Sequence, residues 1–179
     1  AGALLAVLSF LPADGVLAQA ECDKPVYLTF DTGHMGVARL IGDVLDRQKV
    51  LATFFIANEP TRTGGASLDD HWAPWWREMA SRGHLFASHT YDHVYWRGDL
   101  PGIKPKFRMQ PSAGAFEGRE FTWEPPKYCE QIDRAAERIA DFTGKKVLPL
   151  FRAPGGKTSA RLLAAAQSCG YAHVGWAPA

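Results

Sequence analysis

The chain has no C-x-x-C pair, no run of like charges, no internal repeat and no apolar stretch long enough for a bilayer. Each absence removes a class of function. Its three cysteines, Cys22, Cys129 and Cys169, stand too far apart for a thiolate zinc site or a thioredoxin-like redox pair. Lysine and arginine total 20 against 19 aspartates and glutamates, a formal net charge of +1, so no basic tract invites nucleic acid or an anionic membrane surface. The opening apolar run, Ala1 to Leu11, falls short of the roughly 20 residues a spanning helix needs. What remains is a near-neutral exterior that suits an uncharged polymer. Six tryptophans are expected mostly in packing, although indoles also stack on sugar faces.

At the start, the apolar run is followed by Pro12, Asp14 and Gly15, and then by the small-x-small site Ala18-Gln19-Ala20 before Glu21. This pattern is that of a secretory signal peptide. We expect residues 1–20 to be that signal, clipped of its basic beginning, and residues 21–179 to be an exported domain, periplasmic or extracellular. In such a compartment two of the three cysteines can pair, with the third left over or paired elsewhere. About 160 residues after the signal hold one core but are few for a complete barrel of ~250 residues. The expected unit is therefore the N-terminal part of a longer domain.

Strand and helix patterns alternate along the chain. Val26-Tyr27-Leu28-Thr29-Phe30 is a β-prone run expected to be buried on both faces. Val37, Leu40, Ile41, Val44 and Leu45 follow at helical spacing. Leu51 to Ile56 predicts a second strand. Asp69 and Asp70 suit a helix start, with Trp72, Trp75, Trp76 and Met79 inward and a stop at Gly83. His84 to Ser88 predicts a third strand, Ile132 to Phe142 a helix, Val147 to Phe151 a fourth strand, Ser159 to Cys169 a helix and Tyr171 to Gly175 a fifth strand. Residues 94–126, rich in glycine and proline and without periodicity, are expected to be an irregular lid. Alternation with right-handed crossovers gives an α/β fold with a parallel sheet, a barrel in preference to an open sheet.

Three of these strands end in chemistry. Asp31 closes the first, in Thr29-Phe30-Asp31-Thr32-Gly33-His34, where it can be a base, a metal ligand or a helix cap. His89 and His93 follow the third, four residues apart; on a helical turn both imidazoles would share a face and a cation. Arg152 follows the fourth, in Phe151-Arg152-Ala153-Pro154-Gly155-Gly156, where it can keep Asp31 ionised and oriented. Functional groups at the carboxyl ends of successive strands are where α/β enzymes build their sites.

These three motifs, in this order over residues 26 to 176, resemble the first three motifs of the polysaccharide deacetylases, the NodB-type carbohydrate esterases. The resemblance implies a partial, distorted (β/α) barrel that removes acetyl groups from N-acetylated (or O-acetylated) polysaccharide with one divalent metal ion, most often zinc. It makes Asp31 the catalytic base toward a water on that ion, His89 and His93 metal ligands, and Arg152 the residue that orients Asp31. Pro154 would shape the loop beside the substrate, and the amide of Gly155 would be an oxyanion donor.

The departures are specific. Where that family has T-F-D-D-G, with the second aspartate a metal ligand, this chain has Thr32; Asp92 and His34 are the nearby candidates to fill in. The aromatic that often follows the proline of the third motif is Gly155. Two later motifs, one with the histidine that acts as acid, are absent, and Trp176 marks the approach to the first of them. One alternative is a metal-poor barrel that binds glycans without catalysis. Another is a metal amidase acting on other substrates, or a separate site at Asp69-Asp70-His71.

Overall fold

A computed structural model describes residues 25–176. The expected signal at 1–20, Cys22 and residues 177–179 lie outside them. Five parallel strands form one sheet in the order β1 (Thr29–Asp31), β2 (Thr53–Ile56), β3 (Leu85–Ser88), β7 (Leu150–Phe151) and β8 (Ala172–His173). Strand order follows chain order, with α1 (Ala38–Gln48), α2 (Ala73–Ser81), α3 (Pro125–Thr143) and α4 (Ala160–Ser168) in the connections between successive strands. The parallel α/β expectation holds, and among the described residues the sheet is open. Parallel pairing puts every strand's carboxyl end on the same edge, which is what gathers the three motifs.

The first core forms around Phe54, whose ring meets Phe30, Phe86, Trp75, Trp76 and His84 at centroid distances of 5.5–6.2 Å. The inward tryptophans of α2 pack into it, and the Trp76 Nε1 donates to the Ser67 carbonyl at 2.8 Å, so the buried indole keeps no orphan donor. A second core joins Phe107, Met109, Tyr128, Ile132, Phe151 and Leu162. The helix expectations at 37–45, 72–79, 132–142 and 159–169 are met.

Three expectations are corrected. Val26 and Tyr27 are 94% and 82% exposed, and the first strand begins only at Thr29. As an edge strand among the described residues, β1 gives its approach nothing to pack against. The segment expected to be an irregular lid is a second sheet, antiparallel, of β4 (Val94–Asp99), β5 (Phe107–Pro111) and β6 (Phe121–Trp123). Its buried residues Val94, Phe107 and Met109 dock on the second core. The strand expected over 147–151 shortens to its last two residues.

Cys129 of α3 and Cys169, just past α4, form a disulfide across 40 residues of sequence. Replacing both with alanine should lower the stability read from a urea midpoint by about 2–4 kcal/mol.

Candidate active site

Arg152, leaving β7, is 2% exposed, and its guanidinium is used throughout. Nη1 donates to Asp31 Oδ1 at 2.7 Å, Nη2 to Thr29 Oγ1 at 3.0 Å and to the Gly175 carbonyl at 3.3 Å, and Nε to the Val174 carbonyl at 3.0 Å. Its Cζ lies 4.1 Å from the centre of the Phe55 ring. A buried cation is tolerable only when paired and hydrogen-bonded, and here four N–H···O bonds and a π-face surround it. Asp31 is thereby held through one oxygen. Its other oxygen, Oδ2, stands 3.8 Å from His89 Nε2.

The two imidazoles meet with ring centres 4.9 Å apart, but not through a helix. Residues 89–93 make a turn in which Thr90 and His93 take left-handed backbone angles, φ 61° and 45°. The turn is pinned from α3 by Gln131: its carbonyl accepts the Tyr91 amide at 2.7 Å, and its Oε1 accepts the Asp92 amide at 2.9 Å. His89 Nδ1 donates to the Arg152 carbonyl at 2.8 Å, since a carbonyl can only accept. His93 Nδ1 lies 2.5 Å from Ser112 Oγ, whose own hydrogen goes to the His93 carbonyl at 2.9 Å. Both rings thus carry their proton on Nδ1 and present Nε2 lone pairs.

Burial holds the His89 ring below the ordinary histidine range, against the pull of Asp31 and the Arg152 carbonyl. Burial, with His89 adding to it, pushes His93 down to about 4. Neutral imidazoles with Nδ1 engaged are the form in which histidine binds a divalent cation. The pair fits such an ion as two of its ligands. Among the described residues no set of three or more histidine, cysteine, aspartate or glutamate side chains converges on one cation position.

The sequence candidates for a third ligand are elsewhere engaged. Asp92 Oδ2 accepts from Gln131 Nε2 at 2.8 Å and lies 3.5 Å from Arg134 Nη1. His34 is exposed, its Nδ1 taken by the Gly36 amide at 2.9 Å. Among the described residues Asp69, Asp70 and His71 do not converge on one cation position either: Asp69 Oδ2 accepts the Ala66 amide, and Asp70 pairs with Arg138. The carboxylate the sequence reading missed is Glu59, three residues beyond β2. Thr32 Oγ1 accepts the Ala57 amide at 2.8 Å and points its hydrogen between the Ala57 carbonyl, 3.2 Å, and Glu59 Oε2, 3.1 Å. Burial pushes the Glu59 carboxyl up to about 7; the Thr32 hydroxyl opposes that rise and the Asp31 charge adds to it.

Pro154 is buried, and Gly155 sits in the following turn at φ 64°. A β-carbon on Gly155 would fall 2.8 Å from Tyr95 Cε1, and the Tyr95 ring itself meets His93 at 5.1 Å. The ring missing after the proline is supplied in space by β4.

Fold and site together define a parallel α/β protein with an arginine-braced carboxylate beside two neutral imidazoles. The chain belongs to the polysaccharide deacetylase family, whose family model matches residues 18–174. It is 28% identical over 171 residues to a chitooligosaccharide deacetylase of Azorhizobium caulinodans, covering 90% of this chain and 64% of that protein. A chitin disaccharide deacetylase of Vibrio alginolyticus is 27% identical over 92 residues, 51% of this chain and 22% of that protein. The chain thus spans less than two thirds of either relative. In fold it is similar to a family 4 carbohydrate esterase of Streptomyces lividans in complex with acetate, with a TM-score of 0.58 at 23% identity, covering 87% of this chain and 64% of that one.

Removing the guanidinium should expose how much rests on it. Arg152→Met should destabilise the fold by about 3–5 kcal/mol, because the carboxylate it leaves is partly buried and uncompensated. Arg152→Met with Asp31→Asn should recover part of that loss in the same urea titration.

Proposed function

We propose that the chain carries the site of a metal-dependent hydrolase that removes acetyl groups from an N-acetylated (or O-acetylated) polysaccharide. The observation that supports it best is Asp31: fixed through one oxygen by Arg152, it turns the other toward the imidazole pair. A divalent cation, zinc in this reading, would be held by His89 and His93 and would supply Lewis-acid polarisation of the acetyl carbonyl. Asp31 Oδ2 takes the proton of the attacking water, and Arg152 keeps the carboxylate ionised and aimed. Pro154 sets the turn beside the substrate, and the Gly155 amide donates to the oxyanion. Export is part of the same reading, supported by the Cys129–Cys169 disulfide, which persists in oxidising compartments.

Asp31→Asn should reduce acetate release from acetylated chito-oligosaccharides by roughly 10²-fold or more, with zinc retained. Loss of zinc together with activity would make Asp31 a ligand and overturn its assigned role. His89→Ala and His93→Ala should each strip the zinc measured per chain. Ser112→Ala, which frees the His93 ring, should weaken zinc binding about tenfold without unfolding the chain.

A second reading, a barrel that binds glycans without catalysis, is favoured by Thr32 and by the lack of a converging third ligand among the described residues. Glycan binding by a chain that holds no zinc and releases no acetate would select it.

A further inference from the structure

We propose that Glu59 supplies the carboxylate ligand absent at position 32, so that the cation site of this chain is His89, His93 and Glu59. The inference rests on the metal dependence proposed above. An aspartate at position 32 would carry its oxygens about one bond beyond the place now held by the Thr32 hydroxyl. Glu59 Oε2 stands 3.1 Å from that hydroxyl, within a hydrogen bond's length of the vacated position. The register of β1 on β2 brings it there. Asp31 is opposite Phe55, the Thr32 amide donates to the Phe55 carbonyl at 3.0 Å, and the Ala57 amide donates to the Thr32 hydroxyl. The two strand-end segments therefore run side by side.

The backbone of Glu59 is fixed while its carboxylate is lightly held. Its amide donates to Ser67 Oγ at 3.1 Å and its carbonyl accepts the Ser67 amide at 2.9 Å, with Ser67 fully buried. The carboxylate has only the Thr32 hydroxyl, and no ion pair among the described residues includes it. Rotation of its side chain away from Thr32 would complete two imidazoles and one glutamate, a donor set that catalytic zinc accepts.

The test is calorimetric titration of zinc into the full chain and its variants, each checked for folding by circular dichroism. Glu59→Gln should weaken zinc binding at least tenfold, and adding Thr32→Asp to it should restore affinity. In the wild-type chain labelled with ¹³C-glutamate, zinc should shift the Glu59 carboxyl resonance, a readout that needs no variant to fold. Wild-type affinity in Glu59→Gln, or an unmoved Glu59 resonance in zinc-loaded protein, overturns the assignment. So does a wild-type chain that takes no zinc while Thr32→Asp does. Acetate release from the same samples keeps the two readings apart: zinc on Glu59 without acetate release sinks the deacetylase reading and leaves the ligand standing.

Discussion

The ion pair between Arg152 and Asp31 is the constraint on which the rest of the site depends. β7, from which Arg152 departs, is two residues long and meets β3 at a single register pair, Ser88 with Phe151. So short a strand fixes little by its ladder alone. The side chain of Arg152 does the remaining fixing, reaching β1 through Thr29 and Asp31 and the segment after β8 through Val174 and Gly175. Its main-chain carbonyl holds the His89 ring. One residue therefore sets both the direction of the Asp31 carboxylate and the tautomer of the nearest imidazole. Apolar packing could hold the strands together, but it would not orient a carboxylate, because the hydrophobic effect has no direction.

The departures from the family pattern have a common form. At position 32 a carboxylate is replaced by a hydroxyl, and Glu59, from the end of the next strand, stands against that hydroxyl. At position 155 a glycine stands where an aromatic is frequent, and the Tyr95 ring fills the space a side chain there would need. In each case the group lost from a motif is found beside it in space on another element. A motif scored along the sequence registers two losses, whereas the site seen in three dimensions keeps an acid and a ring where each was lost.

Much of this was legible in the sequence, for a definite reason. Strand ends followed by Asp31, His89 and Arg152 are informative because parallel pairing must carry all three to one edge, whatever the details of packing. Helical periodicity likewise marked the inward faces of α2 and α3, where Trp76, Met79, Ile132 and Ile139 are buried. Glu59, Gln131 and Ser112 were not legible, because their roles come from tertiary neighbours at no fixed spacing. The exposed run at 26–28 was misread because composition alone does not show that an edge strand lacks a neighbour. A signal for the second sheet was present: Phe107, Met109 and Pro111 alternate in burial along β5, though glycines and prolines on either side masked it.

That second sheet changes the physical picture of the site. A mobile lid would close on a substrate and fix His93 only then. A docked sheet places Ser112 on the His93 ring and Tyr95 beside Gly155 before anything binds. The order of the site is thus set during folding, and the left-handed backbone at Thr90 and His93 is held against its strain by bonds to α3 and to Ser112, just past β5. What stays free is the Glu59 carboxylate, on a side chain with several rotatable bonds and one light hydrogen bond. A rigid imidazole pair beside one movable acid confines adjustment at the site to a single side chain. The Asp31 carboxylate, already clamped by Arg152, need not move at all.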